Sequence, residues 1–193
     1  MHTYITKFLG IGLMAMATSV WAEPHVGVQA GVGVTNFNAP SGITADNIAG
    51  FAAGVVVEVP MDDMISIQPE LNFMQRGANL AGNGATNVTS RVNSLELPIF
   101  LKLGFGKAIR VSGFAGPNFS FALSSSLDVN AGGSMGSLTF SQNAVDFGAA
   151  LGGGIDVGPF FGNIRYMLGL VNVNNSGATW NSRGFLAMVG LKF

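Results

Sequence analysis

Glu70 and Glu96 are the nearest this chain comes to a catalytic pair. Two carboxylates held close together can divide acid and base roles. Both fall in segments that read as extended and adjacent, at similar height, so without a cation between them they would repel. Arg165 and Lys102 are the bases placed to reach across. Other chemistry finds little material. The sequence holds 2 histidines and no cysteine. His2 lies in an apolar leader and His25 at the start of the first extended segment, whereas a Ser–His hydrolase needs an imidazole held among other elements. Asp46, Asp62, Asp63 and Asp128 lack the spacing of a calcium loop. The sequence therefore predicts no catalytic residue, no metal site and no cofactor. An envelope lipid-modifying enzyme is the weakest of the alternatives.

The remaining ionisable residues are ordered by parity. In Ile65-Ser66-Ile67-Gln68-Pro69-Glu70-Leu71-Asn72-Phe73, one alternate set is Ile65, Ile67, Leu71 and Phe73. The other is Ser66, Gln68, Glu70 and Asn72. Successive side chains of a strand point to opposite faces, so one face suits oil and the other suits water or ion pairs. The polar face collects Glu58, Glu70, Arg76, Arg91, Glu96, Lys102, Arg110, Asp146, Asp156, Arg165 and Lys192. Expected pairs are Arg110 with Asp156 and Asp156 with Arg165. Buried charges must be paired, so this set reads as a structural network filling an interior.

Eight alternating segments carry the pattern, at roughly 25–37, 50–59, 65–76, 91–105, 109–124, 143–157, 160–172 and 183–193. The links after the second, fourth and sixth are short turns. Those after the first, third, fifth and seventh, at 38–49, 77–90, 125–142 and 173–182, are longer and rich in Asn, Gly, Ser and Thr. Met135, Leu138 and Trp180 are apolar residues in these links. Pro69, Pro98 and Pro117 fall inside segments and predict local bulges, since proline cannot donate to a ladder.

Composition selects the solvent. Only 10% of residues are charged against 48% hydrophobic, where a soluble domain carries about 25% charged residues. The net charge of −1 offers no basic field to nucleic acid. Phe8–Val20 with Lys7 before it and Val20-Trp21-Ala22 after it reads as a signal peptide, too short to span a bilayer. Residues 1–22 are thus expected to be removed, leaving 23–193 as one domain. A soluble lipocalin-like barrel would put the apolar face inward. Here the charged face is also the glycine-rich face, which fits a narrow interior better than a soluble exterior. Apolar-face aromatics fall near both strand ends, the arrangement of membrane girdles. The sequence ends at Phe193 within an alternating strand, which looks like the C-terminal assembly signal of outer-membrane barrels.

The fold class expected is all-β: an eight-stranded antiparallel up-and-down transmembrane barrel in a bacterial outer membrane. The function expected is a structural or surface-interaction role through the four longer loops, with a narrow passive pore for small solutes as the alternative. Expected partners are outer-membrane lipid, the barrel-assembly machinery, and an extracellular or envelope protein at the loops.

Gln68-Pro69-Glu70-Leu71 with Gln75-Arg76-Gly77, then Leu95-Glu96-Leu97-Pro98, Gly116-Pro117, Asp146-Phe147-Gly148, and Arg165-Tyr166 with Gly169-Leu170 occur in this order. Together they resemble the outer-membrane β-barrel domain family that includes PorT-like proteins, common in the Bacteroidetes. The resemblance covers nearly all of the chain after residue 22. It implies a small barrel, and it makes the three prolines part of the family pattern. The chain departs from that pattern in having only 2 tyrosines.

Overall fold

The computed structural model describes residues 23–37, 44–81, 86–131, 134–139, 145–170 and 182–193. The expected signal peptide lies outside these residues. Nine strands are described: β1 (His25–Phe37), β2 (Thr44–Pro60), β3 (Ile65–Ala81), β4 (Thr86–Phe105), β5 (Ile109–Ala131), β6 (Ser134–Thr139), β7 (Val145–Val157), β8 (Phe160–Gly169) and β9 (Ser182–Lys192). All pair antiparallel. Eight of them close a ring in which β1 pairs with both β2 and β9, and β5 pairs with both β4 and β7. β6 stands outside the ring and pairs with the far end of β5.

The parity read from the sequence decides the two faces. Val28, Val32, Phe51, Val55, Leu101, Val111, Leu151, Ile164 and Val189 face outward and are exposed. Their neighbours Gln29, Val56, Lys102, Ser112 and Asn163 are buried inside. Exposed side chains this apolar would be untenable in water, and they form a continuous lipid-facing belt. Near the loop end the outer face carries ring pairs Phe51–Phe73, Phe119–Phe147 and Tyr166–Phe185, with centroids 5.5, 5.2 and 4.7 Å apart. Near the turn end, Phe105, Phe160 and Phe193 are exposed.

The three tight turns have local causes. The Asp62 carboxylate accepts hydrogen bonds from the amides of Met64 (2.7 Å) and Ile65 (2.6 Å), closing the β2–β3 turn. Gly106 and Gly158 take φ of 108° and 57°, left-handed values that suit glycine, and they turn β4 into β5 and β7 into β8.

On the loop side the strands run further than the sequence suggested. Much of the segments expected as loops at 38–49, 77–90 and 125–142 is paired strand: Leu80 faces Val88, Val88 faces Val129, and Val129 faces Gly136. β4 has 20 residues and β5 has 23, against the roughly 9–11 a tilted strand needs to cross a membrane. The upper parts of β3, β4 and β5, with β6, therefore project beyond the lipid belt as a sheet. Above the lipid no greasy face is required, so a ladder there can be polar; Asn, Ser and Thr in that stretch signalled loop by composition although period-two alternation continued. Of the expected loop 173–182, only Ser182 is among the described residues, and it begins β9.

The prolines do not sit at bulges. Register shifts occur instead at Asn47/Ala52 and Asn93/Ser94, near the rim. At each proline the pairing toward the preceding strand lapses for two residue pairs and resumes in the same register. The lapses fall opposite Pro69 between β2 and β3, Pro98 between β3 and β4, and Pro117 between β4 and β5. Each proline keeps its pairing with the following strand, to Ile99, Asn118 and Ala149. A missing N–H removes one rung, and the neighbouring rungs hold the register.

Candidate functional site

The interior is the candidate site, and it is built in layers. Closest to the loops, Arg76 on β3 forms an ion pair with Glu96 on β4 and reaches Asp146 on β7 at 3.9 Å. Asn118 on β5 donates to Glu96 (2.9 Å), and the Ser94 hydroxyl donates to it as well (3.2 Å). Below them Arg165 on β8 meets Glu70 on β3 across the barrel, Nη1 to Oε2 at 2.7 Å. Gln29, Gln68 and Asn72 also donate to Glu70, at 2.7, 2.7 and 2.9 Å. Asn163 accepts from Arg165 Nε and Nη2. The guanidinium carbon lies 5.0 and 5.5 Å from the ring centroids of Phe100 and Phe114. Hydrogen-bonded on both partners and flanked by aromatic faces, this pair meets the requirements for a charge pair out of water.

The third layer, at the turn side, is a quartet. Glu58 on β2 and Asp156 on β7 are each shared by Lys102 on β4 and Lys192 on β9. Lys102 reaches Glu58 at 3.2 Å and Asp156 at 3.0 Å; Lys192 contacts Glu58 and lies 2.5 Å from Asp156. The Ser66 hydroxyl donates to Glu58 (2.9 Å). Four strands spread around the ring are thus tied through one cluster.

An apolar group completes the filling. Ala52, Met74, Phe100, Phe114, Ala150, Met167, Leu186 and Met188 are mutually packed and buried. Relative exposures of 0% for Phe100, 2% for Glu70 and 3% for Arg165 show a tightly filled level among the described residues. Among the described residues, one small cavity of about 10 Å³ lies beside Arg76, Asn118 and Asp146 and another beside Lys102, Ser112 and Asn163. Each has space for about one water.

The interior ion pairs depart from the expectation in three ways. Glu70 and Glu96 do not form a carboxylate pair, because each takes its own arginine. Asp156 pairs with the two lysines and not with Arg110 or Arg165. Its register neighbour across the β5–β7 ladder is Arg110, but the long lysine side chains reach its oxygens first, and Arg110 donates instead to the Met64 carbonyl oxygen (3.3 Å). Arg91 lies on the outward parity and is exposed. The buried amides share the polar parity read from the sequence, but the interior apolar side chains went unread. Their signal was available: Phe100, Phe114 and Met74 share the parity of the charged residues. Among the described residues, no group of three or more His, Cys, Asp or Glu could hold a metal ion.

A closed ring of eight strands, greasy outside and ion-paired within, is the architecture of a small membrane barrel. Residues 21–175 match the model of the outer membrane protein β-barrel domain. The chain belongs to that family. It is a bacterial outer-membrane protein, as the ordered motifs implied. The chain matches no curated protein. Among solved structures it resembles Neisserial surface protein A (17% identity, 89% of this chain and 100% of that one, TM-score 0.54). It also resembles OprG from Pseudomonas aeruginosa (12%, 90% and 97%, 0.56). A third likeness is to Ail, the attachment invasion locus protein of Yersinia pestis, in complex with the heparin analogue sucrose octasulfate (11%, 89% and 100%, 0.50). At these identities the likeness is one of fold.

Proposed function

We propose that this outer-membrane barrel is a sealed scaffold whose role is surface interaction, exercised through the loop-side sheet and the loops it carries. The observation that carries this reading is the extension of β3, β4 and β5, joined by β6, beyond the lipid belt as paired strands. A paired sheet presents side chains in a fixed geometry, and the edge of a sheet can pair with an extended segment of another protein. The filled interior supports the same reading from the other side: with ion pairs and rings packed across the middle, a solute has no path. The expected partners remain an extracellular or envelope protein at the loops, lipid at the belt, and the assembly machinery during insertion.

The test removes the projection and keeps the barrel. Residues 127–139 are replaced by an Asn-Gly turn, and cells displaying either form are applied to immobilised glycans and extracellular proteins. The intact form is expected to adhere and the shortened form to lose adhesion while still folding. Equal adhesion by both would overturn the reading. In planar bilayers the refolded protein is expected to stay silent, and discrete unit openings would restore the pore.

A further inference from the structure

We propose that the turn-side mouth of the barrel is a binding site for a phosphate group, with Arg110 and Lys107 as its cationic ligands. A cavity of about 480 Å³ opens there, lined by charged residues that include Arg110, Lys107, Lys192, Glu58 and Asp156. That volume lies within the roughly 300–1,000 Å³ of small-ligand sites. The charges do not cancel. Glu58 and Asp156 are both consumed by the quartet, where Lys102 and Lys192 balance them. Neither Arg110 nor Lys107 makes an ion pair among the described residues. His25 and Phe193 complete the wall. With the two carboxylates balanced by the two lysines, Arg110 and Lys107 leave the wall an excess of positive charge.

Arg110 is held for the task by its neighbours. Its guanidinium lies against Gly104 on the inner face of β4, where a Cβ would collide with its Nε. Its Nη2 is anchored on the Met64 carbonyl at 3.3 Å. Its Nε is buried and donates to no protein acceptor. A guanidinium held in place at an open mouth, and a lysine on the adjoining turn, together suit the oxygens of a phosphate dianion. The phosphate can come from a small solute or from a lipid headgroup. This site is independent of the loop-side role, since it lies at the opposite end of a filled barrel.

The experiment uses the complete barrel refolded in nanodiscs, with the Nε–H resonances of arginine followed by NMR at low ionic strength. Inorganic phosphate is titrated into phosphatidylcholine discs, with chloride at matched ionic strength as the control. Saturable movement of the Arg110 signal, with Arg165 unmoved, is expected. In K107Q the same movement should require more phosphate, and R110Q, which should lack the moving resonance, assigns it to Arg110. Lys107 is exposed, so its substitution leaves the fold intact. Discs containing phosphatidylglycerol and no added phosphate separate the two sources: a shifted Arg110 signal there identifies the headgroup, and an unshifted one identifies a soluble phosphate. No saturable shift in any arm, or an equal response in K107Q, would overturn the proposal.

Discussion

The middle of the barrel and its turn-side mouth are both built from ion pairs, yet they bury charge in different ways. In the middle, one cation meets one anion, and Glu70 and Arg165 have only each other to balance their charge. At the mouth two cations share two anions, and the cluster borders the open cavity. The difference teaches that the same residue types can make a site brittle or tolerant. A lone buried pair fails completely when one member goes, because the survivor is left charged and dry. A shared cluster by open water keeps a partner for every survivor.

That contrast can be broken by substitution, and the largest effect belongs to the middle. Arg165→Met is expected to destabilise the barrel by about 3–5 kcal/mol, since Glu70 is left as an unpaired buried charge. Urea unfolding from lipid vesicles, followed by circular dichroism, measures it. Adding Glu70→Gln to the same chain should recover a good part of the loss, and a double variant no better than the single one would remove the pairing argument. Next in size is the outer wall. Leu101→Arg places a new charge on the lipid side, one residue from the lumen-facing Lys102, and a loss of about 2–4 kcal/mol is expected for a site near the midplane. The same vesicle assay reads it, and a neutral result would reverse the assignment of faces. The quartet should respond less. Lys102→Met leaves both Glu58 and Asp156 with Lys192, so a loss of about 1–2 kcal/mol is expected, that of a buried polar contact. Smallest is Asp156→Asn, which keeps one accepting oxygen for the lysines while Glu58 still meets both; a change of about 1 kcal/mol is expected. If either quartet variant matched Arg165→Met in the same titration, the distinction between brittle and tolerant sites would fail.

The residues themselves show how far the sequence could be read. Val55, Leu101 and Ile155 face outward and Glu70, Lys102 and Asp156 inward, as alternation required, because a strand's period of two admits no other arrangement once one face must meet lipid. The turn at Gly106 and the break after Val157 were equally legible, since a left-handed residue marks its own position. The partner of Arg110 was not. Register places Asp156 beside it, but a lysine two strands away has the reach to displace it, and reach across a lumen is absent from a linear pattern. The projecting sheet was hidden for a related reason: composition signals whether a strand faces lipid, and strands above the membrane face water on both sides.

Local periodicity, then, set the eight strands of the ring, the two faces and the membrane solvent, because each follows from neighbours along the chain. Closure of the ring decided the rest. It brought Glu70 to Arg165, gathered four residues from four strands into one quartet, and left Arg110 and Lys107 at an open mouth with no carboxylate to share. Distances across the lumen depend on how far the wall curves and on which side chains arrive first, and both are properties of the folded barrel.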